Sequence, residues 1–472
     1  MANERQIYLL DPQKLPPETI AVTFAKTSRS PESFRQIAAE LSESKSAEFN
    51  EKWVVGYGHS SVAEHAVLHI AVENVSRLAI ECLQSNRLAS YTEKSTRYQT
   101  WQGDAFYIPE ELTNSSLLDV YKTTCLRLFQ TYQNIIPAVE SAIRADCPQQ
   151  EQESTPAWER RTHSQAIDVC RFLLPAASLA NVGITINART LEHALTKMLS
   201  HPLAEVRQIG TEIKACAAQS VPTLLKYANA DEYLGQVSQV FSGIAVKRAE
   251  GFGDWCQLVD AQTDLEDRIF AAALYKEQNI AYAQALDWAQ ALNPAEKIEL
   301  AGALLDPSRK HSIPSRELEH SIFTFDVLLD QGAFYEVKRH RMMTLTPQAL
   351  TAALGYATPK AIERAGMLAA YNEAMQAAQT AYTQIARQDA QAAGYVVPNG
   401  FNRRFLITTN LRSLLHFIQL RSAANAHFSV RRLAQRMSEQ TSACLPSFAA
   451  LLPRNPDETA KSIETSFFHA TA

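Results

Sequence analysis

The sequence predicts an α+β fold, mostly helical, built from two tandem copies that each contain a small antiparallel sheet. Two observations favour this class. A Glu-His pair followed by a strand-like alternation occurs at Glu64-His65 and again at Glu319-His320, 255 residues further on (65 to 320). Between such strand patterns, long segments carry apolar residues at helical spacing, as in residues 115–144. Repetition of a mixed strand and helix pattern indicates a duplicated α+β unit.

Composition and charge exclude several classes of protein. Hydrophobic residues make up 46% of the 472 residues and charged residues 20%, as in globular proteins, and the net charge of −5 predicts no affinity for nucleic acid. No apolar run is long enough to span a membrane and the N-terminus has no signal-peptide pattern, so a cytoplasmic protein is expected. The seven cysteines form no C-x-x-C pair, which predicts reduced thiols and neither a disulfide framework nor a metal site.

The densest motif opens the first copy. Residues 58–65 (GHSSVAEH) predict a turn, and residues 66–72 alternate as a half-buried strand does. Residues 76–83 predict a short helix with Ser76 as its N-cap. The following segment, 87–98, contains two arginines among many hydroxyl groups. Such a loop beside a helix end suits a phosphate.

The remaining elements follow from the same periodicities. Helices are predicted at residues 31–41, 115–144, 165–227 (interrupted near Pro175 and Pro202), 264–305, 359–393, 408–421 and 429–438. A short strand is predicted at 106–108, a polar loop at 147–164, and the second strand-and-helix unit at 318–341. The segment 228–254 has no clear pattern and contains four glycines, so the junction between two domains, 1–240 and 241–472, is placed there.

Further matches, in the same order in both halves, predict a tandem duplication. The aligned pairs are Ser85-Asn86-Arg87 with Arg339-His340-Arg341, Asn187 with Asn410, and residues 204–207 with 428–431. The sequence distance between equivalent residues of the two copies falls from 254 residues (85 to 339) to 223 (187 to 410). The second copy is therefore expected to be shorter near the polar loop.

These motifs resemble those of flavin-dependent thymidylate synthases. That family carries Arg-His-Arg, then after seven residues a loop of the form Ser-x-Asn-Glu-x-Ser-x-Arg-Tyr, preceded by a turn of the form Gly-His-x-[Ser/Thr]-x-x-Glu-His. The first copy has the turn at 58–65 and the loop at 90–98, with Glu93, Ser95 and Arg97 at matching positions. Its triplet departs from the family, because Ser85-Asn86 replaces Arg-His.

The second copy departs from the family in the opposite places. It keeps the complete triplet at Arg339, but Ala349 and Thr351 stand where the first copy has its loop Ser and Arg. The family also has an Arg three residues before a Leu-Pro turn, which the first copy keeps as Arg171 and the second loses. A later helix keeps a family Arg only in the second copy, at Arg421. The losses are therefore complementary, and we expect active sites that combine both copies.

The resemblance implies two tandem domains of the thymidylate-synthase-complementing type that methylate dUMP to dTMP. It implies FAD as cofactor, methylenetetrahydrofolate as carbon donor and NADPH as reductant. Because family members are homotetramers with shared sites, a homodimer forming a pseudo-tetramer is expected. The implied catalytic residues are Arg421 and Arg339. The implied substrate-binding residues are Glu93, Ser95, Arg97, Arg171 and Arg421, and the implied cofactor-binding residues are His59, Ser61, Glu64, Arg339, His340, Arg341, Asn410, Arg412 and His416.

Other interpretations stay open at this point. The Glu-His pairs could close turns, and Arg189 and Arg412 could be ordinary surface arginines on helices. Cys82 and Glu336 stand where the family has Gln, and Glu336 would repel a nearby phosphate. These changes favour a flavoenzyme acting on another pyrimidine nucleotide. A non-catalytic relative that binds nucleotide or flavin is the third possibility.

Overall fold

The computed structural model describes residues 6–28, 30–56, 60–97, 99–101, 103, 105–246, 251, 253–306 and 313–469. The strands are β1 (Val67–Ser76), β2 (Ala89–Glu93), β3 (Leu179–Asn187), β4 (Cys256–Ala261), β5 (Ile322–Asp330), β6 (Thr344–Pro347) and β7 (Asn402–Asn410). The helices are α1 (Pro17–Lys26), α2 (Phe34–Glu40), α3 (Glu43–Phe49), α4 (Arg77–Leu83), α5 (Leu118–Asp146), α6 (Thr155–Cys170), α7 (Ala188–Leu199), α8 (Ala204–Ala217), α9 (Glu232–Ser242), α10 (Leu265–Glu277), α11 (Tyr282–Ala291), α12 (Pro294–Leu304), α13 (Gln331–Val337), α14 (Lys360–Arg364), α15 (Leu368–Ala386), α16 (Leu411–Arg421), α17 (Phe428–Cys444) and α18 (Ala460–Phe467).

The chain forms two compact units that do not follow the two repeats. Unit 1 contains residues 1–95, 106–118 and 177–247, and unit 2 contains residues 96–105, 119–176 and 248–472. Two segments of the first repeat therefore belong to the same unit as the whole second repeat. The domain boundary near residue 240 stays a prediction.

Each unit contains one antiparallel sheet with the same strand order. In unit 1 the order is β1-β3-β2, and in unit 2 it is β4-β5-β7-β6, so β5, β7 and β6 correspond to β1, β3 and β2. The register is also repeated: Val67 pairs with Asn187, and Ile322 pairs with Asn410. The predicted fold class, mostly helical with a small antiparallel sheet in each tandem copy, is confirmed.

A β-bulge explains why the interval between the copies shortens by one residue after the Glu-His pairs. The register of β1 shifts between Val72 and Val75, and Asn74 there has a φ of 55°. Asparagine tolerates this left-handed conformation better than most residues. The equivalent strand β5 pairs with β7 in continuous register from Ile322 to Asp330. The first copy therefore carries one extra residue inside its strand.

Both repeats contain a buried hydrogen bond between a hydroxyl group and a carboxylate. The residue that carries each group stands at the opposite position in the other repeat. In unit 1, Ser76 caps α4, and its hydroxyl donates to Glu205 Oε2 at 2.6 Å. In unit 2, Asp330 caps α13 and accepts from the hydroxyl of Ser429. All four residues are buried. The exchange preserves one acceptor and one donor at each site, as buried polar groups require.

This exchanged pair predicts a compensating double substitution. Ser429→Glu should destabilise the protein by roughly 3 kcal/mol, because a second carboxylate would lie against the buried Asp330. Adding Asp330→Ser recreates the arrangement of Ser76 and Glu205. The free energy of unfolding of the double variant should therefore lie within about 1 kcal/mol of the wild-type value. Urea denaturation of the two variants measures both effects. A double variant less stable than Ser429→Glu alone would contradict the equivalence of the two sites.

Several elements differ from the sequence-based predictions. The strand β3 lies in a segment that is predicted as helical, although Val182, Ile184 and Ile186 alternate as a half-buried strand does. The strand β7 lies mostly in a segment with no predicted element, and only its last three residues overlap the predicted helix 408–421. The predicted loop 147–164 is wrong, because α6 begins at Thr155. Residues 106–108 form an isolated bridge at Phe106 and no strand.

The first repeat contains more helical residues between β2 and β3 than the second repeat contains between β6 and β7. Within the described residues, α6 has no counterpart in the second repeat, and α5 has 29 residues where α15 has 19. These differences lie where the second copy was expected to be shorter.

All seven cysteines are free. None of the described helices is long and apolar enough to cross a membrane.

Candidate functional site

A buried carboxylate in unit 2, that of Glu336, joins arginines from both repeats. Arg171 Nη2, from the first repeat, lies 2.9 Å from Glu336 Oε1. Arg421 Nη1, from the second repeat, lies 3.2 Å from Glu336 Oε2. The side chains of Glu336 and Arg171 are only 5% and 4% exposed. We call this group, with Arg97 and His340, the arginine cluster.

The two repeats meet beside the arginine cluster through their equivalent Leu-Pro and Val-Pro turns. Pro175 and Pro398 form an antiparallel bridge. Ala176 N donates to Val397 O at 2.9 Å, and the equivalent Asn399 N donates to Leu174 O at 3.0 Å. Such reciprocal contacts between equivalent residues are typical of a two-fold relation. The turn that carries Arg171 is therefore held by the second repeat.

A glycine makes this close approach between the repeats possible. Gly400 N donates to Phe172 O at 2.8 Å. A Cβ atom on Gly400 would lie 2.9 Å from Met375 Cε and from Tyr371 Oη, and 3.1 Å from the ring of Phe172. These distances are shorter than ordinary contacts, so a larger residue would push the two segments apart.

Arg97 enters the arginine cluster from the loop of the first repeat. Its Nε and Nη2 donate to the carboxylate of Asp168 at 2.9 Å and 2.8 Å, and Nη2 also donates to Asn425 O at 3.1 Å. Asp168 lies on α6, three residues before Arg171, so one helix end brings both residues to the cluster. Fork-like pairing of this kind fixes the orientation of a guanidinium.

His340 is neutral and holds Arg421. Arg421 Nε donates to His340 Nε2 at 2.9 Å, so this ring nitrogen carries no proton. Burial, together with the nearby charges of Arg421 and Arg339 and the ring of His416, lowers the pKa of His340 to about 3. Asn410 caps α16, and Arg421 ends that helix. The cap and the histidine together position the guanidinium.

The arginine cluster keeps its carboxylate ionised. Burial raises the pKa of Glu336, but the charges of Arg171, Arg97 and Arg421 outweigh burial, and the resulting pKa lies below the ordinary value of 4.5. Since Asp168 also pairs with Arg97, three guanidiniums here face two carboxylates. An anionic ligand would have to compete with these carboxylates for the arginines.

The predicted flavin-binding residues of the second repeat differ in exposure. Arg339 and His416 are exposed, whereas Arg341 is half-buried. The ring centroids of His340 and His416 lie 5.7 Å apart. Arg412 instead pairs with Glu319 at 2.8 Å. Arg339 and His416 are thus the exposed residues of this group, on either side of the buried His340.

The Glu-Arg pair at the Glu-His turn is repeated in unit 1. Arg189 pairs there with Glu64, at positions equivalent to Arg412 and Glu319. The repetition favours the structural interpretation, in which each pair ties a helix start to a turn. Glu64 also lies in an open cleft of about 670 Å³, whose other charged lining residues include Arg87 and Lys197.

Three other predicted site residues of the first repeat, Ser61, Glu93 and Ser95, lie in unit 1. Glu93 forms an ion pair with Arg77 at 3.4 Å, and its side chain is 3% exposed. Ser61 is exposed and Ser95 is half-buried. His59 lies outside the described residues. The assignments of these four residues to substrate or cofactor stay predictions.

Sequence reasoning missed two polar residues of the site, Asp168 and His427. Asp168 carries an i, i+3 signal, because it precedes Arg171 by three residues on one helix. His427 caps α17 with Nδ1, and its Nε2 donates to Asp168 O at 3.1 Å. It has no sequence signal, since it stands outside every motif. Burial raises the pKa of Cys82 to about 11, so this thiol is not a nucleophile at neutral pH.

Comparison with known proteins shows the family. The profile of the family described as "Thymidylate synthase complementing protein" matches residues 10–223 and 257–447. The chain therefore belongs to this family and contains two copies of its domain. It is 31% identical to a "UPF0159 protein" of Chlamydia muridarum over 434 residues, which cover 88% of this chain and 82% of that protein.

Other relatives include single-copy proteins. A "Flavin-dependent thymidylate synthase" of Clostridium tetani is 26% identical over 213 residues, which cover 45% of this chain and 82% of that protein. Among solved structures, a UMP/dUMP methylase PolB from Streptomyces cacaoi gives a TM-score of 0.33 at 18% identity, covering 43% of this chain and 96% of that one.

Proposed function

We propose that the chain is an FAD-dependent enzyme of the thymidylate synthase type, which methylates dUMP to dTMP in a site built from both repeats. In this proposal methylenetetrahydrofolate donates the carbon, and NADPH supplies the electron pair that reduces it to a methyl group. A homodimer of the duplicated chain would contain the four domains of a pseudo-tetramer. The cytoplasm is the expected location.

One observation carries this proposal: the functional arginines kept by each repeat are complementary, and they meet within unit 2. Arg97 and Arg171 come from the first repeat, and Arg421 with His340 from the second. Had one copy simply decayed, most losses would lie in one half. Convergence of the retained residues around Glu336 supports selection for one combined site.

The residues of this chain suit the chemistry. Arg421 is already oriented by His340 and Glu336, so its charge could stabilise negative charge that develops on a uracil carbonyl without reorganisation. Exposed Arg339 and half-buried Arg341 suit the pyrophosphate of FAD, since guanidiniums pair bidentately with phosphate. Bound FAD would accept the electrons of NADPH and deliver them to the one-carbon unit.

The position of Glu336 favours a second candidate substrate. This carboxylate lies between Arg171 and Arg421, where a neutral amide would leave both guanidiniums available for a phosphate. A flavoenzyme of the same fold acting on another pyrimidine nucleotide is therefore the alternative function. Rescue of a thymidine-requiring bacterial strain by the wild-type chain distinguishes dTMP synthesis from this alternative.

Flavin absorption tests the proposal directly. The purified protein with micromolar FAD should show a perturbed flavin spectrum, and Arg339→Ala should weaken FAD binding by about tenfold or more. Arg97→Ala should keep the flavin spectrum but abolish its change on adding a pyrimidine ligand. The control Arg127→Ala removes an arginine whose side chain is 44% exposed in its pair with Glu373, and it should behave like the wild type. Absence of bound flavin in the wild type would refute the proposal.

A further inference from the structure

Helix α9 and the residues that follow it leave a large apolar surface exposed. Every side chain that the structure describes between Asp231 and Val246 is exposed. Six of them are large and apolar, with exposed fractions between 39% and 71%: Tyr233, Leu234, Val237, Val240, Phe241 and Ile244. Single exposed apolar residues are common on protein surfaces, whereas a contiguous group marks an interaction site. We call these six residues the α9 face.

The α9 face forms one continuous stripe along the helix. Tyr233, Val237 and Val240 follow one another at spacings of four and three residues, and Ile244 follows after four more. Alternate spacings of four and three residues are the pattern by which one helix packs lengthwise against another. The opposite side of α9 carries uncharged polar residues: Gln236, Gln239 and Ser242.

The helix is too short to be stable without a packing partner. It has 11 residues and contains Gly235 and two valines, which lower helix propensity, and isolated helices of this length are marginal in water. Asp231 caps it by accepting from Tyr233 N at 2.9 Å. The backbone N of Asp231 donates to Ser200 Oγ at 2.7 Å, which attaches the start of α9 to the end of α7. These contacts hold only its first turn, so the α9 face needs a partner.

The lack of charge on the α9 face favours a second copy of the chain as that partner. Residues 233–246 contain no charged residue. A helix that lies on a membrane surface is typically rich in lysine and arginine on its polar side, and this segment has neither. A two-fold axis brings the same surface of two copies together, where equal charges would repel. An uncharged face meets no such repulsion.

The area of the α9 face agrees with a symmetric interface. From the fractions above, and about 150–250 Å² for a fully exposed aromatic side chain, the six residues expose roughly 600 Å² in all. Two faces packed together would therefore bury roughly 1,200 Å², which is the lower end of the range for specific protein interfaces. One copy thus supplies as much apolar surface as another copy needs to cover.

We propose that α9 is an interaction surface for a second copy of this chain, with the two α9 faces packed against each other about a two-fold axis. The helix lies between the two segments that match the family profile, 10–223 and 257–447, so neither copy of the family domain supplies it. The interface is therefore additional to any contact between family domains and independent of the proposed catalytic site. Val240 would lie within roughly 5 Å, one helical turn, of the same residue in the second copy.

Sedimentation equilibrium of the full chain at micromolar concentration tests this interface. The wild type should associate, and Val240→Glu should weaken association by about a hundredfold or more, because two like charges would meet in an apolar interface. Val240→Lys should weaken it for the same reason. An equal mixture of the two variants should associate at least about tenfold more tightly than either alone, since Glu then faces Lys. The control Gln239→Glu adds the same charge on the polar side and should behave like the wild type.

Each contrary outcome overturns the proposal. A wild type that sediments as a single chain would show that the α9 face does not bind a second copy, and binding of that single chain to phosphatidylcholine vesicles would identify a lipid surface as the partner instead. Unchanged association of Val240→Glu would mean that other surfaces hold the copies together. A mixture no tighter than either variant would mean that α9 does not face its own copy. Flavin absorption of the same samples tests the proposed function separately, because α9 contains none of its site residues.

Discussion

Replacing Arg171 by methionine is expected to lower the free energy of unfolding by about 3 kcal/mol. The change removes one of the two arginines that neutralise the buried Glu336, and breaking a buried ion pair typically costs this much because one charge stays behind. Methionine keeps much of the side-chain volume, so cavity formation contributes little. Urea denaturation of the wild type and the variant measures the difference.

Two further variants identify the cause of that loss. Arg171→Met combined with Glu336→Gln should recover most of the stability, because the buried charge is then absent. Arg127→Met, in an ion pair whose partners are 44% and 72% exposed, should cost less than about 1 kcal/mol. If the double variant is as unstable as the single one, lost packing rather than unpaired charge is responsible.

Acidification is expected to destabilise the protein from pH 6.5 downward because two buried histidines are neutral in the folded state. Burial and nearby arginines hold the pKa of His340 near 3 and that of His427 well below the ordinary value of 6.5. The unfolded chain takes up these protons below pH 6.5 and the folded chain does not, so the free energy of unfolding falls as pH falls. His340 should contribute up to about 1.4 kcal/mol per pH unit, or roughly 2 kcal/mol between pH 6.5 and 4.5, and His427 should act in the same direction.

The hydrogen bonds of both histidines agree with this direction. His340 Nε2 accepts from Arg421, and His427 Nδ1 accepts from Ser429 N at 3.2 Å, so a proton on either nitrogen would remove an acceptor. The slope of the unfolding free energy against pH reports how many more protons the unfolded chain binds than the folded chain. His340→Gln and His427→Gln should each lower that number by about one. Identical pH profiles for both variants and the wild type would contradict the assignment of neutral buried histidines.

The duplication, the helix caps and the family could be predicted from short local motifs. Ser76 as an N-cap, the repeated Glu-His pairs and the loop around Arg97 depend on a few neighbouring residues, which a sequence displays directly. The strand β3 was missed because it was assigned to a helical segment despite its alternation of period two, and most of β7 was given no element at all. The partners of the candidate site residues were harder to predict, since Arg171 and Glu336 are 165 residues apart.

The amino-acid sequence is enough to predict the fold class, the two copies and the residue types that each copy kept or lost. Which of those residues meet is seen only in the folded chain. Folding brings Arg97 and Arg171 of the first repeat into the unit of the second and pairs them with the carboxylates of Asp168 and Glu336. The physical reason is that periodicity and caps are local properties of the chain. The pairing of buried charges depends instead on how distant segments pack, and here the two proline turns set that packing.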